Sequence, residues 1–310
     1  LTQSRYPLSF AQERMLFIEQ FEQGSDVYHI PYLVQLDQDV SLPLLDTAIN
    51  RLAERHAVLR TVYRSDEHDQ SYQQVLDENL VIQSQSCDDR DRLLASVRTE
   101  IATPFDLTTE PSLRLRHYQV ANSHYLLLLW HHIAMDGWSV DIFMAELAES
   151  YHALQAGRDS PLPELEITYG DYAVWQRDYL QGDVREQQLA YWRQALAGYE
   201  SLALPADHPR PAQVNYQGRD VNFELDTRLS EQLRILAKTQ ETTLYTVLLS
   251  AFYVTLAKLS GQADIVIGTP TDNRHHTQTQ PLLGMFVNSL ALRAQLQHTD
   301  SVTALTASPR

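Results

Sequence analysis

A single cysteine, Cys87, in 310 residues leaves no pair for an intrachain disulfide and no thiolate cluster for zinc. Basic side chains are scarce. Twenty-four Lys and Arg stand against forty Asp and Glu, a net charge of −16, and no local basic patch offsets it. Such a chain repels nucleic acid and anionic membrane. No apolar run reaches the ~20 residues of a membrane helix, and a signal-peptide core is missing, so a cytoplasmic protein is expected. GxGxxG, Walker and GxSxG strings are absent as well, which removes sequence support for nucleotide, dinucleotide and serine-hydrolase chemistry. What remains is ordinary globular usage, 44% hydrophobic and 21% charged, at a length that suggests two domains.

Apolar spacing sets out the elements. Ala11, Met15, Ile18 and Phe21 mark a helix over Ser9 to Phe21, and Ile30 to Leu36 reads as a strand. Leu45, Ala48, Ile49, Leu52 and Ala53 line one face of a second helix, followed by strands near Leu59 to Tyr63 and Tyr72 to Leu76 and a helix over Arg90 to Ile101. Leu113, Leu115 and His117 alternate with Arg114 and Arg116, predicting one buried and one wet face. Tyr125 to Trp130 (YLLLLW) is apolar throughout and predicts a central strand, joined to its predecessor by a hairpin at Ala121 to Ser123. Helices are expected over Ser139 to Leu154 and, as a Tyr- and Trp-rich pair, between Asp171 and Ala197, with Trp175, Tyr191 and Trp192 packing between helices. Leu204 to Gly218 reads as loop. A strand over Val221 to Leu225, helices over Ser230 to Lys238 and Thr243 to Leu259, and a strand over Asp264 to Gly268 follow. Strands and helices mix without regular alternation, which predicts an α+β fold.

The stretch His131-His132-Ile133-Ala134-Met135-Asp136-Gly137-Trp138-Ser139 lies where the apolar strand stops, a usual place to build a site. Three readings stand open on residue types. As metal ligands, His131 and His132 would act with Asp136, but the two adjacent imidazoles point to opposite faces and no third nitrogen or sulfur lies at zinc spacing. As pure structure, one histidine is a satisfied core residue and Asp136 caps the next helix. As a catalytic centre, one imidazole faces a cavity and handles a proton near neutral pH, while Asp136 pairs with a buried arginine. His275-His276, in a polar loop, reads as surface, and Cys87, among acids, is no nucleophile.

His131 to Gly137 matches the HHxxxDG signature of the condensation domains of nonribosomal peptide synthetases, in the chloramphenicol acetyltransferase-like superfamily. Other motifs of that family flank it in order: Ser9-Phe10-Ala11-Gln12-Glu13-Arg14, Arg55-His56-Ala57-Val58-Leu59-Arg60-Thr61, Tyr169 to Gln176, Ile267 to Arg274, and Phe286 to Arg293. The resemblance implies two acetyltransferase-like lobes forming a V, here an N-terminal lobe over 1–180 and a partial C-terminal lobe over 181–310. It implies that His132 faces a tunnel as the catalytic group while His131 packs behind it. It further implies that Asp136 pairs with Arg55, or with Arg60 as second choice, and that Gly137 keeps the acceptor route open. Trp138, Ser139 and Asn288 are expected to line the tunnel. No metal is expected.

The implied reaction is attack of a carrier-bound aminoacyl amine on a carrier-bound donor thioester, with His132 as base or positioning group. The chain itself would bind no cofactor, the phosphopantetheine being supplied by upstream and downstream peptidyl carrier domains, with an adenylation domain adjacent. The opening motif and the Ala134-Met135 filling most resemble the L-donor, L-acceptor subtype. An epimerization domain, or an inactive docking platform, is the alternative. Family members continue past the sixth motif to a seventh of the HQDxPFE type, whereas Thr299 to Arg310 matches poorly. The second lobe is therefore expected to be incomplete, with Val266, Ile267, Phe286 and Val287 exposed.

Overall fold

The apolar segment Tyr125–Trp130 lies at the centre of a four-stranded sheet, and the first half of the fold is arranged around it. The computed structural model describes residues 4–21, 26–159, 162–209, 212, 218 and 220–297. The chain divides into two units, Leu1–Gln181 with Asp272–Asn288, and Gly182–Thr271 with Ser289–Arg310.

In the first unit β1 (Arg5–Pro7) and α1 (Phe10–Phe21) lead to β2 (His29–Leu36) and α2 (Leu42–Arg55). β3 (Thr61–Ser65), β4 (Ser71–Val75), β5 (Ile82–Cys87) and α3 (Arg90–Ala102) follow, then β6 (Leu113–Val120), β7 (Ser123–His131), α4 (Gly137–Gln155) and α5 (Tyr169–Tyr179). One sheet has the order β1-β4-β3, the other β2-β7-β6-β5. β7 is antiparallel to β2 and β6, whereas β5 and β6 run parallel. A central strand buried on both faces has no wet side for polar residues, and Leu126 to Trp130 are each no more than 2% exposed. The two-residue hairpin loop Ala121–Asn122 places Ala121 at φ +51°. The buried stripe Leu45, Ala48, Ile49, Leu52 and Ala53 orients α2. Side-chain caps start the other helices: Asp89 for α3, Asp136 for α4, and a Thr168–Asp171 capping box for α5.

The second unit holds α6 (Gly182–Ala195), α7 (Thr227–Thr239), α8 (Leu244–Ser260) and the paired strands β8 (Asp264–Thr271) and β9 (Asn288–Gln295). Its core is small: Leu249, Tyr253, Leu256, Ile265 and Ala294. Arg293 ties β9 to β8 through Asp264 at 2.5 Å.

Several expectations need correction. The Arg114 and Arg116 face of β6 is not wet. The Arg114 guanidinium lies 4.0 Å over the Phe105 ring, donating to Glu110 and to the carbonyls of Thr103 and Pro104, and Arg116 pairs with Glu100. Ion pairs and ring stacking close a face that alternation alone reads as solvated. Val221–Leu225 forms no strand, and Val221 and Phe223 are more than three-quarters exposed. β1 and β5 are too short or too polar to carry a periodic signal in the sequence. Trp175 and Tyr191 are exposed, and α6 has no buried residue. Thr299–Arg310 and part of Leu204–Gly218 lie outside the described residues.

The segment Asp272–Asn288, expected in the second lobe, belongs to the first unit. Phe286, expected to be exposed, is 1% exposed and packs on Tyr169 and Tyr172. Gly284 lets this segment pass. Its φ is +154°, and an added Cβ would stand 2.1 Å from the Tyr169 ring, whose hydroxyl is held by Ser9 and Met285. Gly284→Ala is therefore expected to cost about 2–4 kcal/mol through backbone strain and overpacking. A lower urea midpoint at constant m would register this, and an unchanged midpoint would show that Tyr169 yields.

Candidate active site

β7 ends at His131, and α4 begins at Gly137, so five residues, His132 to Asp136, connect a buried strand to a helix N-terminus. Turn bonds run from Ala134 N to His131 O (3.1 Å) and from Met135 N to His132 O (3.3 Å), and His132 N donates to Tyr28 O at 2.8 Å. Ile133, Ala134 and Met135 are fully buried and fix the turn to the core.

The two adjacent imidazoles meet opposite surroundings. His131 is fully buried, walled by Tyr28, His29 and Phe105 at ring distances of 6.5, 6.0 and 5.7 Å. Its Nδ1 accepts from Ile133 N (3.1 Å), and its Nε2 faces Glu19 Oε2 at 3.3 Å. His132 is half-buried. Its Nδ1 is enclosed without a hydrogen-bond partner among the described residues.

Asp136 is fully buried and accepts four hydrogen bonds. Ser139 N (2.8 Å), Ser139 Oγ (2.7 Å) and Arg274 Nη2 (3.3 Å) reach Oδ1, and Phe286 N (3.0 Å) reaches Oδ2. Its partner arginine is thus Arg274 and neither Arg55 nor Arg60. Arg274 is itself buried, lies 4.1 Å over the Phe286 ring, and donates Nη1 to the carbonyls of Thr279 (2.6 Å) and Leu282 (2.7 Å). Burial draws its pKa down and Asp136 opposes that shift.

Arg55 instead forks onto Glu146 (3.1 and 3.2 Å) and donates to Pro163 O. Glu146 lies ten residues along α4 from Asp136, about 15 Å at the helical rise, beyond the reach of Arg55. Arg60 donates to the carbonyls of Ala53 and Leu76. Ser139, expected to line a tunnel, is fully buried in the Asp136 network, also accepting from Arg274 at 2.8 Å. Trp138 is 52% exposed, and exposed Asn288 accepts from Arg14 at 3.3 Å. A Cβ on Gly137 would meet nothing within 4 Å, so packing does not demand glycine there. Sequence reasoning missed Arg274, Glu19 and Glu146. Arg274 stood within the fifth motif, but a separation of 138 residues from Asp136 offers no pairing signal.

Beside Glu146, His56 donates Nε2–H at 2.6 Å and presents Nδ1 to Leu283 N. Burial lowers its pKa, with Glu146 opposing. His29 and His117 are also lowered, chiefly by burial, and His117 further by His124, 2.9 Å away. All three depressions favour the neutral ring in the folded state. Their contribution is therefore complete above the unfolded value of about 6.5 and is lost as pH falls through the folded values. The urea midpoint is expected to drop between pH 7 and pH 5, and His117→Gln to shallow that slope. A midpoint flat across this window would contradict the assignment.

Among the described residues no group of three or more His, Cys, Asp or Glu is placed to hold a metal ion, and no single helix is long and apolar enough to cross a membrane.

Comparison with known proteins bears on this geometry. The condensation-domain family matches residues 2–308. The chain is 38% identical over 312 residues to one of the linear gramicidin synthase proteins of Brevibacillus parabrevis, covering 98% of this chain and 4% of the relative. It is also 39% identical over 297 residues to malpinin synthetase of Mortierella alpina, covering 94% and 4%. The chain thus spans a small fraction of the length of the curated relatives it matches. Among solved structures, the X-domain from teicoplanin biosynthesis superposes with a TM-score of 0.88 at 25% identity, over 99% of this chain and 69% of that one. A four-domain nonribosomal peptide synthetase bound to AMP and glycine gives 0.83 at 26% identity, over 98% and 23%.

Proposed function

The chain belongs to the condensation-domain family, and from that membership we propose that it forms amide bonds in nonribosomal peptide synthesis. The neutral amine of a carrier-bound acceptor aminoacyl thioester attacks the carbonyl of a carrier-bound donor thioester. A C–N bond forms, the C–S bond breaks, and the amine proton leaves with the donor thiol. Both phosphopantetheine arms belong to the substrates, presented by upstream and downstream carrier domains in the cytoplasm, with an adenylation domain adjacent.

The observation that carries this reading is the contrast between the two imidazoles: His131 has both nitrogens engaged in the interior, whereas half-buried His132, just past the end of β7, has an Nδ1 with no hydrogen-bond partner among the described residues. His132 acts as general base, worth ~10²–10⁴-fold, or holds the amine in line for attack. Asp136 and Arg274 fix the turn. Gly137 supports the reading through the open space beside it, and Trp138 and Asn288 are the proposed substrate-lining residues. The subtype closest to the opening motif takes an L-donor and an L-acceptor.

A second reading, a docking platform without chemistry, is favoured by the X-domain likeness, since a structure of that domain is a complex with OxyB (TM-score 0.87). Incubating the chain with two aminoacyl-loaded carrier domains separates the readings. Amide product on the downstream carrier is the expected result. Inversion of a Cα centre without an amide would identify epimerization, and carrier binding without either product the platform.

A further inference from the structure

The geometry points to Glu19 as a positioning residue for His132, acting through His131; this rests on the catalytic reading of His132 given above. Three observations carry it. First, Ile133 N–H is a fixed donor aimed at His131 Nδ1 at 3.1 Å. A backbone donor cannot change roles, so Nδ1 carries no proton, and the neutral ring must be the Nε2–H tautomer. Second, among the described residues that Nε2–H has one partner, the Glu19 carboxylate at 3.3 Å, whose side chain is 11% exposed while the imidazole is fully buried. Third, the two ends of the ring join different parts of the fold. Glu19 belongs to α1, and Ile133 is the residue after His132 within the turn.

The His131 ring is thus a strut between α1 and the His132 turn. Without the carboxylate, a buried N–H would be stranded in a box of Tyr28, His29 and Phe105. The ring could relieve this only by rotating or by moving its proton to Nδ1, and either change breaks the bond to Ile133 N. The His132 backbone would then keep only its bond to Tyr28 O and the turn bonds, and small displacements of a catalytic group are costly in rate.

The first test is independent of activity. Imidazole ¹⁵N chemical shifts of His131 in the full chain should report the Nε2–H tautomer across pH 6 to 8. Glu19→Gln, whose amide oxygen still accepts, should retain it, and Glu19→Leu should lose it. In amide formation, Glu19→Leu should lower kcat about ten- to a hundredfold, with KM for loaded carriers changed less than twofold, and Glu19→Gln should recover most of the loss. A wild-type His131 carrying its proton on Nδ1, or on both nitrogens, overturns the proposal even if Glu19→Leu does not fold. So does a folded Glu19→Leu chain with unchanged kcat. If the tautomer result holds while His132→Ala still forms amide, the catalytic reading fails and the strut stands as structure alone.

Discussion

Arg274→Met is expected to destabilise the first unit by about 3–5 kcal/mol, because it leaves the fully buried Asp136 carboxylate without its countercharge. The guanidinium also donates to Ser139 Oγ and to the carbonyls of Thr279 and Leu282, so methionine of similar length fills the space but removes a donor from each. Asp136→Ala is expected to fall in the same range, since it leaves the cation buried and removes the cap of α4. The double variant tests the pairing itself. Asp136 and Arg274 should couple strongly, the double variant being far less destabilised than the sum of the singles. Asp136 and Arg55 should be additive within the usual few tenths of a kcal/mol, because Arg55 answers to Glu146. Urea unfolding of the four chains in each cycle measures both. Strong Asp136–Arg55 coupling with an additive Asp136–Arg274 pair would reinstate the arrangement that motif order alone suggested.

That reversal shows where the sequence is legible and where it is not. The Leu45 to Ala53 stripe, the YLLLLW strand and the hairpin between β6 and β7 follow from local patterning, since burial imposes a period that a few neighbouring residues reveal. The HHxxxDG turn is similarly local: His131, His132 and Asp136 are placed by one strand end and one helix start. The partners of these residues are not local. The family resemblance implies Arg55 or Arg60 as the partner of Asp136, both close to one strand start, yet Arg55 on α2 meets α4 at Glu146. Arg274 reaches Asp136 because the chain returns from the second unit to the first for Asp272–Asn288. Such a crossing leaves no periodic trace beyond apolar residues, Leu282, Leu283 and Phe286, that read equally well as core of either half. β6 gives the same lesson at smaller scale. Arg114 and Arg116 alternate as solvated residues do, and only α3 and the Phe105 segment, packed over them, turn that face into a buried ion-pair layer.

His132→Ala is expected to lower amide formation by ~10²–10⁴-fold, the range for loss of a general base, while the melting temperature stays within a few degrees of wild type. The thermal expectation follows from the ring's surroundings: it is half-buried and, among the described residues, makes no side-chain hydrogen bond and leaves Nδ1 unpaired, so its removal strands none of them. His131→Ala should behave in the opposite way. It opens a cavity among Tyr28, His29 and Phe105, leaves Ile133 N and Glu19 without their partner, and should cost about 2–4 kcal/mol. Activity in His131→Ala should then fall through the loss of folded chain and of turn geometry, and cooling should recover part of it. Cooling should recover none in His132→Ala. Two further variants sharpen the role of His132. A base must exchange a proton, so His132→Gln, which keeps hydrogen bonding without titrating, should be as slow as His132→Ala. A positioning group need only hold the amine, so under that role His132→Gln should keep a substantial part of the rate. Single-turnover measurement with pre-loaded carriers separates these outcomes from carrier binding. Wild-type turnover in a folded His132→Ala chain would remove this residue from the chemistry and leave the aligned carriers as the source of the rate.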